Sequence, residues 1–371
     1  MSKFGFVILT LCCLLQLALA QEAPSARTAA TQPPATAAPQ TPAVVPQVEQ
    51  LTPGHEGGRI TLDVVVTDKS GTPVSGLELK DFTLLDNKLP AKILSFQAID
   101  GTVLKPGPRV EVAIVIDAVN LPFGQVAIER QQIVGFLQQN GGHLAEPTTV
   151  YVMTDSGVTS SGRPTLDGNA LAEATNKLDI GLRTTGQSAG AWGAIQRMGF
   201  SLHGFTTIAS SEAKKPGRKL LIWAGPGWPM LNGLHYQTDA KGQQQVFNTI
   251  VELSDKLRQA RISVYSVARG MPGINTFLYQ DYLKGVKAAE KAESANLALK
   301  VLSVQSGGRV MVPDNDMTGQ IDRCIRDATA FYTISFDPPR ADRANEYHDL
   351  KIEVDKPGLT PLTKSGYYGQ P

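Results

Sequence analysis

The chain has little cysteine. There are three in 371 residues, and two of them, Cys12 and Cys13, fall within the first 20. With those 20 removed Cys324 stands alone, so no intramolecular disulfide is available and stability has to come from the core. An excess of either charge is also lacking: 35 Lys and Arg face 34 Asp and Glu, a formal net charge of +1. No basic footprint for nucleic acid is present. No Cys/His cluster has the spacing of a metal site, and no glycine-rich loop is placed to cradle phosphate. Beyond the first 20 residues no apolar run is long enough to span a membrane.

What the chain has begins with a leader pattern. Lys3 precedes an apolar run over residues 4–17, and Ala18-Leu19-Ala20 is a small-x-small cleavage site. A secretory signal over 1–20 is expected, with the mature chain starting at Gln21 and located in the secreted or periplasmic space. The other reading of the same run is a retained anchor. Neither Cys12 nor Cys13 has the small residue before it that lipoprotein processing favours. Residues 21–56, "APSARTAATQPPATAAPQTPAVVPQ" and its flanks, are too rich in Pro, Ala, Thr and Gln to bury a core and read as a disordered linker.

Folded sequence follows in three parts. Residues 57–104 form an N-terminal β segment. Ile60, Leu62, Val64 and Val66 alternate with Thr61, Asp63 and Thr67, which predicts a strand with one solvated face, and "DFTLLDNKLPAKILSFQAI" adds two strands around a turn at Asp86-Asn87. Residues 108–330 alternate apolar strands with helical patterns: "VAIVIDA", "TTVYVMTD", "KLLIWAG", "ISVYSVAR" and "GRVMVP" are the strands. Helices are predicted over 126–139, over 243–259 with a Val246, Ile250, Leu253, Leu257 stripe, over 281–306 with Gly307-Gly308 as its stop, and around Cys324. Strands apolar on both faces imply a mostly parallel, doubly wound, Rossmann-like α/β sheet. Residues 331–371 return to strands in "FYTISFDPP", "HDLKIEVDKPG" and "LTKSGYYG". Neither β segment is large enough to stand alone, so the two are expected to complete one module.

The strand "VAIVID" ending in Asp117, with the flanks "LDVVVTDKSGTPVSGLELKDFTLLDNKLPAKILSF" and "FYTISFDPP…YHDLKIEVDKPGLTPLTKSGYY", resembles the VWFA-related proteins of acidobacteria over residues 58–370. That resemblance implies a von Willebrand factor type A-like domain and a binding role. It also implies a Mg²⁺ site built from an Asp-x-Ser-x-Ser loop, a Thr and a third-loop Asp. Here the two serine positions are Val119 and Leu121, the threonine is matched by Thr184 or Thr185, and Ala224 or Gly225 stands where the acid belongs. Too few oxygen ligands remain for a hard cation, although Asp117 and Thr185 are the weak candidates for one. No metal or cofactor is expected, and Asp117 is expected to cap nearby backbone N–H groups.

The candidate binding site is the loop edge at the C-terminal ends of the parallel strands. It gathers Asp117, Asn120, Pro122, Asp155, Thr184, Thr185, Pro226 and Trp228, with Trp228 as an amphipathic ring in the loop "AGPGWPM". The expected partner is a protein or cell-surface polymer. The alternative is a serine hydrolase using Ser188 of "GQSAG", with Asp239 or Asp281 and His348 completing a triad. That pattern lacks a convincing preceding strand, and a non-enzymatic role is expected.

Overall fold

The structure, a computed structural model, describes residues 58–100, 110–181, 190–230, 239–270 and 279–371. The leader, the linker, Thr184, Thr185 and Ser188 lie outside the described residues.

Residues 60–100 form four strands: β1 (Ile60–Thr67), β2 (Phe82–Asp86), β3 (Leu89–Ala91) and β4 (Ser95–Asp100). Ile60, Leu62, Val64 and Val66 are buried along one face of β1. The expected solvated face is only partly exposed, at Thr61 and Asp63, because Val65 is buried against the central domain and Asp63 pairs with Arg261. β2 turns into β3 through Asn87 and Lys88, both with left-handed backbone (φ 48° and 69°), the pattern of a two-residue hairpin loop.

The middle of the chain runs β5 (Val110–Asp117), α1 (Phe123–Leu137), β6 (His143–Thr154), β7 (Gly157–Ser160), β8 (Thr165–Asp167), α2 (Gly168–Lys177), α3 (Gly190–Glu212), β9 (Arg218–Ala224), α4 (Ala240–Gln259), β10 (Ile262–Val267), α5 (Leu299–Gln305) and α6 (Met317–Ile325). The strands order as β10-β9-β5-β6-β7, with β8 also pairing to β6. The neighbours from β10 to β6 are parallel, whereas β7 and β8 run antiparallel to β6, so the sheet is mixed. Val112, Ile114 and Ile116 of β5 pack with Val126 and Ile133 of α1, Leu171 of α2, and Ile321 and Cys324 of α6. Ala113 and Val115 pack with Phe205 and Ile208 of α3 and Ile250 and Leu253 of α4. Helices on both faces explain why these strands are apolar on both faces.

Two expected elements are absent among the described residues. "GRVMVP" makes only an isolated bridge, Ser266 to Val310, and Asp314 just after it bridges Arg269. The helix expected over 281–306 is replaced by single turns at Tyr279–Tyr282, Ala289–Lys291 and Ser294–Leu297, followed by the short α5. Packing overrides propensity here. A Cβ at Gly285 would overlap the Tyr347 ring, and the buried residues Val286, Ala292, Ala295 and Leu297 do not follow a helical period. The glycine stop does operate, but on α5. Gly307 (φ 81°) donates to the Val304 carbonyl at 3.1 Å and Gly308 to that of Ser303 at 2.9 Å.

The chain closes with β11 (Ala330–Phe336), β12 (Glu346–Val354), β13 (Thr360–Leu362) and β14 (Gly366–Gly369). These pair antiparallel with the opening strands in two four-stranded sheets, β13-β1-β11-β4 and β14-β12-β2-β3. Between them lies one core, which includes Leu62, Leu84, Tyr332, Ile334, Leu350, Ile352 and Tyr367. The described residues thus form a mixed α/β protein with three sheets.

The β module meets the N-terminal ends of the parallel strands through buried charge. Arg309 grips Asp327 through two nitrogens at 2.7 Å each, and the Tyr265 hydroxyl donates to the same carboxylate at 3.0 Å. Arg218, fully buried, donates to the Asp327 carbonyl and lies over the Phe331 ring. Lys364 donates to the carbonyls of Leu257 and Ile262, and burial pushes its ammonium down to about 7.

Candidate site at the C-terminal edge of the central sheet

Asp117 ends β5 with its side chain completely buried. Its Oδ1 accepts the backbone N–H groups of Val119 and Asn120 at 3.0 Å each. The Asn120 amide donates to both oxygens at 3.1 and 2.8 Å, and the Trp223 indole donates to Oδ2 at 3.0 Å. Burial pushes this carboxyl above the usual range, while the hydrogen bonds from Asn120, Trp223 and Val119 pull it back. Asn120 also donates to Ser201 of α3 at 2.9 Å, tying the loop to that helix.

The metal-loop positions are occupied by apolar packing. Val119 belongs to the core beneath α3 and α4, and Leu121 to the core beneath α1. Gly225 has φ 139°, and a Cβ there would stand 2.8 Å from the Asp117 Cβ. An acidic side chain at position 225 thus does not fit beside Asp117 in this backbone. A cation at Asp117 would also have to displace the Trp223 indole and the Asn120 amide. Among the described residues no group of three or more His, Cys, Asp or Glu side chains is gathered for a metal.

Trp228 requires a correction. It is not presented to solvent but is 4 % exposed, with its indole donating to the Leu297 carbonyl at 2.8 Å. It packs edge-on against Trp223 and Phe205, with centroids 5.4 and 5.9 Å apart. Asp155 lies in the turn between β6 and β7. Pro122 is exposed just before α1, and Pro226 is half-buried. The structure thus joins Asp117 and Asn120, buries Trp228, and leaves Thr184 and Thr185 outside the described residues.

The proposed triad histidine also lies elsewhere. His348 is buried inside the β module, with Nδ1 2.8 Å from Asp86, whose other oxygen accepts the Tyr367 hydroxyl at 2.7 Å. Asp239 is spent on capping α4, accepting from the Gly242 N–H at 2.8 Å.

The residues that give this edge its surface character were missed in the sequence. Phe123 opens α1 with 57 % of its surface exposed, and Trp192 and Ile195 near the start of α3 are 67 % and 43 % exposed. α3 runs antiparallel to β5: Ser201 reaches the Asp117 loop, while Lys215 just past its end reaches Glu111 near the start of β5. Trp192 precedes Ser201 by nine residues, so it overhangs the edge by about 13 Å of helix. A signal existed. The buried stripe of α3 runs through Gly193, Met198, Ser201, Phe205 and Ile208, and Trp192 and Ile195 fall outside it. Glu129 of α1 and Arg269 after β10 were missed as well; Glu129 is 1 % exposed, and Arg269 donates to Gln125 at 3.1 Å.

No family model matches the chain, and no curated protein does. Among solved structures, proximal thread matrix protein 1 of the mussel byssus aligns with 60 % of this chain and 48 % of its own length, at 10 % identity and a TM-score of 0.35. This chain thus spans about half of that protein. The N-terminal domain of TFIIH p34 aligns with 59 % of this chain and 96 % of its own length, at 13 % identity and a TM-score of 0.25. Likenesses this slight carry no argument about fold or function. Among the described residues no helix is long and apolar enough to cross a membrane.

Proposed function

We propose that the chain is an exported VWFA-related protein that binds another protein or a surface polymer through the C-terminal edge of its central sheet, without catalysis and without a metal at Asp117. The observation that carries this reading is the set of exposed apolar side chains at that edge: Phe123, Trp192 and Ile195. Large apolar groups held in water on rigid helices are what binding surfaces are built from. The Asp117 loop is tied to α3, the helix that carries Trp192 and Ile195, through the Asn120 amide and Ser201. The β flanks quoted above support the family assignment, and the leader pattern supports export to the secreted or periplasmic space.

The test is recovery of partners from the native envelope with the full chain and with a Trp192→Ser/Ile195→Ser double variant. The expected outcome is a partner retained by the parent and lost by the variant at unchanged melting temperature. Equal recovery by both would remove this edge as the binding surface.

A further inference from the structure

Glu129 lies on the sheet-facing side of α1 and is 1 % exposed, yet its Oε2 has no hydrogen-bond partner. Two charges act on it: Asp117 at the end of β5, which is like-charged, and Arg269 beyond β10. Arg269 gives Nη1 to Gln125, one turn earlier on α1, and its buried Nε has no partner either. Other charges on and around α1 are committed elsewhere. Arg130 donates to the Leu178 carbonyl, Glu173 and Lys177 of α2 pair with each other, Arg323 of α6 pairs with Asp314, and Asp322 of α6 is acted on by Arg326, Asp316 and Arg323.

An ionised carboxylate with an orphaned oxygen in the interior is costly, whereas a protonated one is not. We propose that Glu129 is a proton-operated latch on the binding edge: α1 seats on the sheet with this carboxyl protonated, and lifting of its first turns releases the proton to water. Only its consequence rests on the binding reading above, since Phe123 at the start of α1 rides with the latch. Burial pushes the carboxyl up to about 8, Asp117 adds to this, and Arg269 opposes it. The seated state therefore holds a proton that the lifted state loses above about pH 4.5, and lifting grows about tenfold per pH unit until about pH 8, then levels off.

Hydrogen exchange of the full chain tests this, read by mass spectrometry over residues 121–134 from pH 5 to 9 and corrected for intrinsic exchange. Protection should fall about tenfold per pH unit and level off near pH 8. In Glu129→Gln, which mimics the protonated form, protection should stay flat. A parent without this slope, or a variant that keeps it, overturns the latch. So does a ¹³C carboxyl titration of Glu129 with an ordinary carboxylate midpoint. None of these readouts uses a partner, so failure of the latch and failure of the binding surface are separable.

Discussion

The two ends of the central sheet use opposite chemistry. At the N-terminal ends of the strands, Asp327 with Arg309 and Tyr265, and Asp63 with Arg261 and Thr333, lie in the seam with the β module. At the C-terminal ends the one buried carboxylate of the β5 loop is closed by N–H groups of its own neighbourhood, and the outward-facing groups are Phe123, Trp192 and Ile195. Buried charge here marks the structural joint, and exposed apolar surface marks the end to which the proposed binding role is assigned. Displaced protonation thus does not distinguish the two ends: Lys364 lies in the seam, whereas Asp117 and Glu129 lie toward the C-terminal edge.

The largest effect should come from breaking the joint. Asp327→Ala removes a carboxylate that is 1 % exposed and leaves Arg309 and the Tyr265 hydroxyl without their acceptor, which costs about 3–5 kcal/mol and should lower the melting temperature by about 10 °C in calorimetry. Glu129→Gln should act with the opposite sign and depend on pH. Because the folded-state carboxyl is raised, parent stability drains away as pH climbs from about 4.5 to about 8. The variant should equal the parent near pH 4.5 and exceed it by on the order of 4 kcal/mol at pH 8, as read from urea midpoints. Trp192→Ser/Ile195→Ser should change stability by less than about 0.5 kcal/mol, since both side chains are exposed. The smallest effect is expected from divalent ions. A cation at a hundredfold excess over its Kd would add about 2.7 kcal/mol, but millimolar Mg²⁺ and EDTA should give the same melting curve. A rise abolished by Asp117→Ala would contradict that.

Much of the fold was legible because its signals are local. The unbroken apolar runs ending in Asp117 and Ala224 announce strands covered on both faces, and the Ile250, Leu253, Leu257 stripe announces α4. Residues 281–306 misled because their Ala, Lys and Glu content favours helix, while the path is set by partners distant in sequence: Tyr347 over Gly285, and the Tyr368 hydroxyl on the Val286 carbonyl at 3.0 Å. Trp228 misled for the same reason. A Gly/Pro-rich loop looks exposed until Phe205, Trp223 and the Leu297 carbonyl close around its ring. At the candidate site, Asp117 was readable from its place at a strand end. That its oxygens would be taken by Asn120 and Trp223 was not, because the indole comes from the neighbouring strand.

The most direct test of the contrast between the two ends is site-specific photo-cross-linking of the full chain in its native envelope. A photoreactive residue would replace Trp192 at the C-terminal edge or Leu89, 71 % exposed, on the β module. The account predicts a discrete adduct from position 192, competed away by excess unlabelled parent protein, and none from position 89. A competed adduct from position 89 with none from position 192 would contradict it and move the binding surface to the β module.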